Sequence, residues 1–368
     1  AGTEVEDYHC YGLPVLAPAD GTVVEVVDGV ADNPIGEVNL RDNWGNAVVI
    51  QHAPNLYSVL AHLTSGGIEV SEGQYVTRGD KLGLCGNSGR SPVPHIHFQL
   101  QAQPRLGAPT VAIELHDIVT VEEEAETLWG TYTPDKGEAV RNIQTASEVA
   151  RSLQFPADRT LLFTIETDGG ERTETVRPEI DLYGRRTLRS EERDAILYFD
   201  RSDDIVTLYD VVGDRRSILR IMLAALARVP FEVAESITWR DHLPRRLFSG
   251  PVTRLMLDFI APFVRRDGFE MTYRARRDGR DFIVEGESAS EQRDGRPRLR
   301  TKATIRNGTG LHALELTLDG ETLRATVEQV DESTQAVDDD RLPKSARPAD
   351  TDESDPEEET SARMVAAQ

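Results

Sequence analysis

The chain is short of cysteine, of positive charge and of long apolar runs. Its 368 residues hold two cysteines, Cys10 and Cys85. Two thiols form neither a disulfide framework nor a tetrahedral thiolate metal site. A bridge between them needs an oxidising compartment and Cα atoms within reach, which spacing cannot place, and two buried thiols are the default. Lys and Arg number 41 against 64 Asp and Glu, a formal net charge of -23. That balance excludes nucleic acid as the main partner, because phosphate binding needs a basic surface. It also opposes electrostatic docking on anionic lipid. No apolar run approaches the roughly 18–20 residues that a membrane-spanning helix needs. No cleavable signal peptide is visible and the chain starts at Ala1, so a mature form or a fragment is expected.

What is present is β pattern. Between residues 10 and 101, apolar runs alternate with turn residues: "GTVVEVVDG", "NAVVIQH", "YSVLAHL", "KLGLCG" and "HIHFQLQ". This punctuation fits an antiparallel sandwich or barrel, with no amphipathic helix of useful length. We divide the chain into a first domain at 1–120, an acidic linker at 121–135, a β-rich accessory domain at 136–330 and an acidic tail at 331–368. The accessory domain carries hairpin signals such as "RTLLFTIETDGGERTETV" and "FEMTYRARRDGRDFIVEGES". A helix is predicted over 215–229, with Asp214 as N-cap and Pro230 as stop, and a weaker one over 251–266, broken near Pro262. The tail has almost no large apolar side chains and is expected to be disordered.

Eight histidines occur in the chain, and two of them, His95 and His97, flank one isoleucine in "SPVPHIHFQL". On a strand, residues i and i+2 share a face, so the two rings project together while Ile96 and Phe98 point into the core. Taken alone, a His-x-His pair reads as two surface histidines on a strand. Here His62 ends the run "YSVLAHL" and His52 ends "VVIQH", so several strands can deliver imidazole to one surface. Glycine-dense loops, "TSGGIEVSEGQ" and "CGNSGRSPVP", surround them, and glycine lets backbone come close to a ligand. A zinc site of imidazole and carboxylate with an open water position fits this pattern.

"PVLAPADGTVVEV", "GNAVVIQH", "YSVLAHL" and "VSEGQYVTRGDKLGLCGNSGRSPVPHIHFQLQ" together resemble the peptidase M23 family, the LytM or lysostaphin-type zinc endopeptidases, over about residues 10–118. The resemblance implies an M23-like antiparallel β-sandwich or barrel. It implies Zn2+ as cofactor with His97 as a metal ligand, and His62 and His95 as catalytic histidines. It also implies peptidoglycan peptide as substrate, at the periplasmic or extracellular face of a bacterial cell envelope. Residues 136–330 are then a candidate surface for an envelope protein partner.

One departure qualifies this. The family's His-x-x-x-Asp ligand pair is missing from "AGTEVEDYHCYGLPVLAP", where Asp7 and His9 stand in the wrong order and spacing. The motif lies upstream of Ala1, or the domain has lost its metal, or Asp7 or His9 substitutes; the first is expected. The second leads to another function, an inactive M23-like module that binds wall peptide or activates another hydrolase.

Other features carry less. Lys81 in "RGDKLG" would serve a lipoyl or biotinyl carrier domain only at a hairpin tip, and it reads as a strand entry. "CGNSGRS" lacks the Gly-Lys-Ser/Thr ending of a phosphate loop. His116, His242 and His312 are isolated, and Trp239 reads as a core aromatic.

Overall fold

The computed structural model describes residues 2–122, 125–167, 170–232, 234–244, 247, 268–289 and 297–331. The helix predicted over 251–266 and the tail beyond residue 331 lie outside the described residues. The chain is mostly β and divides into two compact units, residues 1–121 with 129–142, and residues 122–128 with 143–368.

The first unit contains strands β1 (Pro14–Leu16), β2 (Gly21–Val27), β3 (Asn46–Ala53), β4 (Leu56–Leu63), β5 (Tyr75–Val76), β6 (Lys81–Leu84), β7 (His97–Gln101) and β8 (Thr110–Val111). Six of them form one antiparallel sheet in the order β5-β2-β3-β4-β7-β8, and β1 pairs with β6 in a separate ribbon. Alternation in "NAVVIQHA" and "LYSVLAHL" serves both faces of this sheet. Val48, Ile50 and Leu60 pack with Val15 of β1 and Leu82 of β6. Ala47, Val49, Val59 and Ala61 form the opposite cluster, against which Trp44 and Leu106 lie. Each large side chain buried here stabilises the fold by about 1.5–3 kcal/mol. Ile96 and Phe98 pack on the first cluster, as the period of two requires. Both cysteines are free thiols. Cys85 sits in that core, where burial and the adjacent Cys10 push its thiol up to about 12.

The stretch read as a linker is ordered strand for much of its length. After β9 (Leu115–Glu122), β10 (Ala125–Tyr132) follows directly, and β11 (Val140–Asn142) pairs with β9. Acidic residues there decorate strands because charge marks exposure, which an outer strand face also has.

The second unit is built of successive hairpins. Strands from Arg159–Thr167 to Ile205–Gly213 pair in sequence, and strands from Gly268–Asp278 to Glu321–Asp331 do the same. The two series join where Arg159–Thr167 pairs with Glu321–Asp331. Its central helix is shorter than predicted, Leu219–Leu226, and every residue in it is buried. Asp214 is not its cap: it holds a turn by accepting from the Arg216 amide. The Glu174 carboxylate on a neighbouring strand accepts from the Ile218 amide instead. Pro230 lies in a short strand, Arg228–Pro230, so the helix has stopped before the proline is reached. Trp239 is buried and stacks on Tyr273.

Candidate active site

His62 stands at an irregularity of β4. Ala47 faces Ala61 and Asn46 faces Leu63, so the register skips His62. Its φ is +70°, a left-handed value that non-glycine residues rarely adopt. This bulge breaks the strict alternation and re-aims the side chain. The His62 ring comes to 4.9 Å from that of His95 and 6.0 Å from that of His97, centroid to centroid. His97 begins β7 opposite Ala61, and the Trp44 ring meets its imidazole edge-on at 5.0 Å. His95 precedes the strand rather than lying in it. Thus the structure brings together His62, His95 and His97. His52 is held elsewhere, its ring bonded to Asp20 O and Ser58 Oγ.

The partners of each ring decide its tautomer, since a carbonyl oxygen can only accept. His62 Nδ1 lies 2.8 Å from Ser88 O, so Nδ1 carries the proton and Nε2 is bare. His95 Nδ1 lies 2.8 Å from Val93 O, with Ser91 Oγ also 3.0 Å away, so its Nε2 is bare too. His97 Nε2 lies 2.9 Å from Gln99 Oε1. Burial, then the neighbouring His95, lowers the His62 pKa to about 4, so this ring is neutral at pH 7.

The loop 87–91 that supplies Ser88 O is fixed by half-buried and buried polar groups that the sequence did not single out. Asn33 Nδ2 donates to the carbonyls of Asn87 and Gly89 at 2.9 and 2.7 Å. Asp32 accepts from the Asn87 amide and from the Tyr11 hydroxyl. Ser88 Oγ accepts from the Asn46 amide and donates to Leu63 O. No spacing rule links residues 32, 33, 46 and 88, so only the fold reveals the group. Glycine also lets backbone touch backbone beside this loop, with Gly89 set against Gly45.

The donor set can be tested against zinc. Bare imidazole nitrogens suit a cation. Among the described residues, however, no group of three or more His, Cys, Asp or Glu side chains is arranged to hold a metal ion. Asp7 is spent on the amides of Thr3 and Glu4, and His9 is exposed. The described residues therefore do not fit a complete zinc centre. Structural and catalytic zinc sites use at least three protein ligands. This chain is expected to bind zinc more weakly than about 1 µM in calorimetric titration. Stoichiometric sub-micromolar binding would show that enough ligands are present after all.

The family model of peptidase family M23 matches residues 5–109. The chain is 37% identical over 94 residues to the peptidoglycan DD-endopeptidase ShyA of Vibrio cholerae, a segment covering 26% of this chain and 19% of that protein. It is 29% identical over 116 residues to the DD-carboxypeptidase/endopeptidase Mpg of Neisseria meningitidis, covering 31% of this chain and 23% of that one. A solved zinc-containing peptidase from Vibrio cholerae is 32% identical, with a TM-score of 0.21 over 27% of this chain and 26% of that chain. The matched segment spans only about a fifth of the curated relatives' length.

Proposed function

We propose that the peptidase family M23 domain of this chain hydrolyses peptide bonds in peptidoglycan, as a zinc metallo-endopeptidase at the cell envelope. The observation that carries this reading is the gathering of His62, His95 and His97, with His62 held at a left-handed φ to join it. Strain of this kind, about 1–2 kcal/mol, persists where surrounding structure enforces it, and it clusters at functional sites. His97 would be a zinc ligand.

The protein's own groups supply proton handling. His95 presents a bare Nε2 because its Nδ1 is committed to Val93 O. It takes a proton from the attacking water and, once protonated, gives it to the leaving amine. His62 is a poor proton store at pH 7 because it is held neutral. Its bare Nε2 instead accepts a hydrogen bond from the water and orients it. After proton transfer, the His95 imidazolium stabilises the tetrahedral oxyanion. We assign residues 136–330 the part of a partner-binding accessory region in the envelope.

A second reading follows from the absence of a metal-holding group among the described residues. In it the domain binds wall peptide without cutting it, or activates another hydrolase. Purified peptidoglycan incubated with the chain and zinc separates the two. Slow, zinc-dependent release of soluble muropeptides is expected. Sedimentation of the protein with peptidoglycan and no release at any zinc concentration would overturn hydrolysis in favour of binding.

A further inference from the structure

A hydrogen-bond line runs along one face of β7 and ends on the His97 ring. It starts in the loop at 103–105. The Gln101 amide nitrogen donates to Gln103 O at 2.7 Å and to Arg105 O at 2.9 Å. Both partners are carbonyls and can only accept, so both Gln101 N–H groups are spent and its amide cannot flip. Its Oε1 therefore faces Gln99, whose Nε2 donates to it at 3.0 Å. A flipped Gln99 would set two oxygens against each other. Gln99 Oε1 is left to face His97 Nε2 at 2.9 Å, and an oxygen there requires a proton on that nitrogen. Gln99 and Gln101 are both buried, so water cannot readily replace a lost partner. Residues 97, 99 and 101 share a face because the strand period is two.

We propose that Gln99 and Gln101 are positioning residues that lock His97 as its Nε2–H tautomer, leaving Nδ1 bare. The lock originates at two backbone carbonyls and passes through two amides to the ring. It rests on the reading of His97 as a functional ring, since only then does the identity of its bare nitrogen matter. In that reading, Nδ1 is the nitrogen left to accept a hydrogen bond. The sequence carries the signal in "HIHFQLQ", where polar residues recur at every second position after His97.

Imidazole nitrogen resonances of the 15N-labelled full chain test this without any hydrolysis. Wild type is expected to show His97 with Nδ1 unprotonated and a protected Nε2–H. Gln99→Leu should speed exchange of that proton by about tenfold or more. Gln101→Leu, which does not touch the ring, should also speed it, with backbone amide exchange along the strand unchanged. A merely structural Gln101 would leave the His97 proton as it was. An Nδ1–H tautomer in the wild type overturns the inference, and that measurement needs no variant to fold. So does an unaltered exchange rate in both variants. A correct tautomer in a chain that never cuts peptidoglycan would sink the proposed hydrolysis and leave this inference standing.

Discussion

Gly89→Ala is expected to destabilise the first unit by about 4 kcal/mol. Gly89 has φ +74°, and a Cβ built there falls 2.3 Å from Gly45 N and 2.8 Å from Asn43 O. Both are backbone atoms, which cannot swing aside as a side chain can. Gly45 shows the same contact from the other side: its Cβ would lie 2.4 Å from Ser88 Oγ and 2.5 Å from the Ser88 carbonyl carbon. The left-handed backbone costs an alanine about 1–2 kcal/mol, and overpacking adds about 1–3 kcal/mol. Separating the loops also strains two backbone bonds, Asn39 N to Gly89 O and Arg90 N to Asn43 O. Gly73→Ala is the control, with φ +84° and nothing within 4 Å of its Cβ. It should cost about 1 kcal/mol, for φ alone. Hydrogen exchange of peptides covering residues 46–63 reads the difference. Equal losses in the two variants would show that contact between the loops is not what requires glycine.

This packing shows how far the sequence could be read. A strand has a period of two, so "HIHFQLQ" announced a shared face for His95 and His97 and a core face for Ile96 and Phe98. The structure differs only in starting the strand at His97, which leaves His95 to be held by Val93 and Ser91. Turn residues and apolar runs fixed the β character of the first domain. Long-range polar closure was not legible. Asn46 has no visible mark in "WGNAVV", yet its side chain bonds Val30 and Leu63 from the centre of the fold. Nor was the His62 bulge, which depends on the register between two strands rather than on either alone. The helix at 219–226 shows the same limit. A local rule chose Asp214 as cap, whereas the carboxylate that meets the Ile218 amide comes from Glu174, adjacent in space but remote in sequence.

His95→Ala is expected to lower the rate of peptidoglycan cleavage by about 10²–10⁴-fold, the usual worth of a positioned general base. The argument rests on how the ring is held. Val93 O accepts the hydrogen bond of Nδ1–H, and Ser91 Oγ stands 3.0 Å from the same nitrogen. Ser91 is itself buried and bonded to Asn87 Oδ1 at 2.8 Å, so the ring's support is tied to the loop that Gly89 and Asn33 hold. Nε2 is thereby kept as the acceptor at every turnover, with no side chain to reorient. Removing the ring deletes the acceptor and takes nothing from either apolar cluster, so peptidoglycan sedimentation should stay within about twofold of wild type. Ser91→Ala should cost less than His95→Ala, because Val93 O still fixes the tautomer. Muropeptide release under single-turnover conditions, beside the sedimentation assay, separates chemistry from binding. If cleavage by His95→Ala matched wild type, the base would have to be another group, and His62 would be the next ring to remove. If cleavage and sedimentation fell together, His95 would be contributing to ground-state binding rather than to proton transfer.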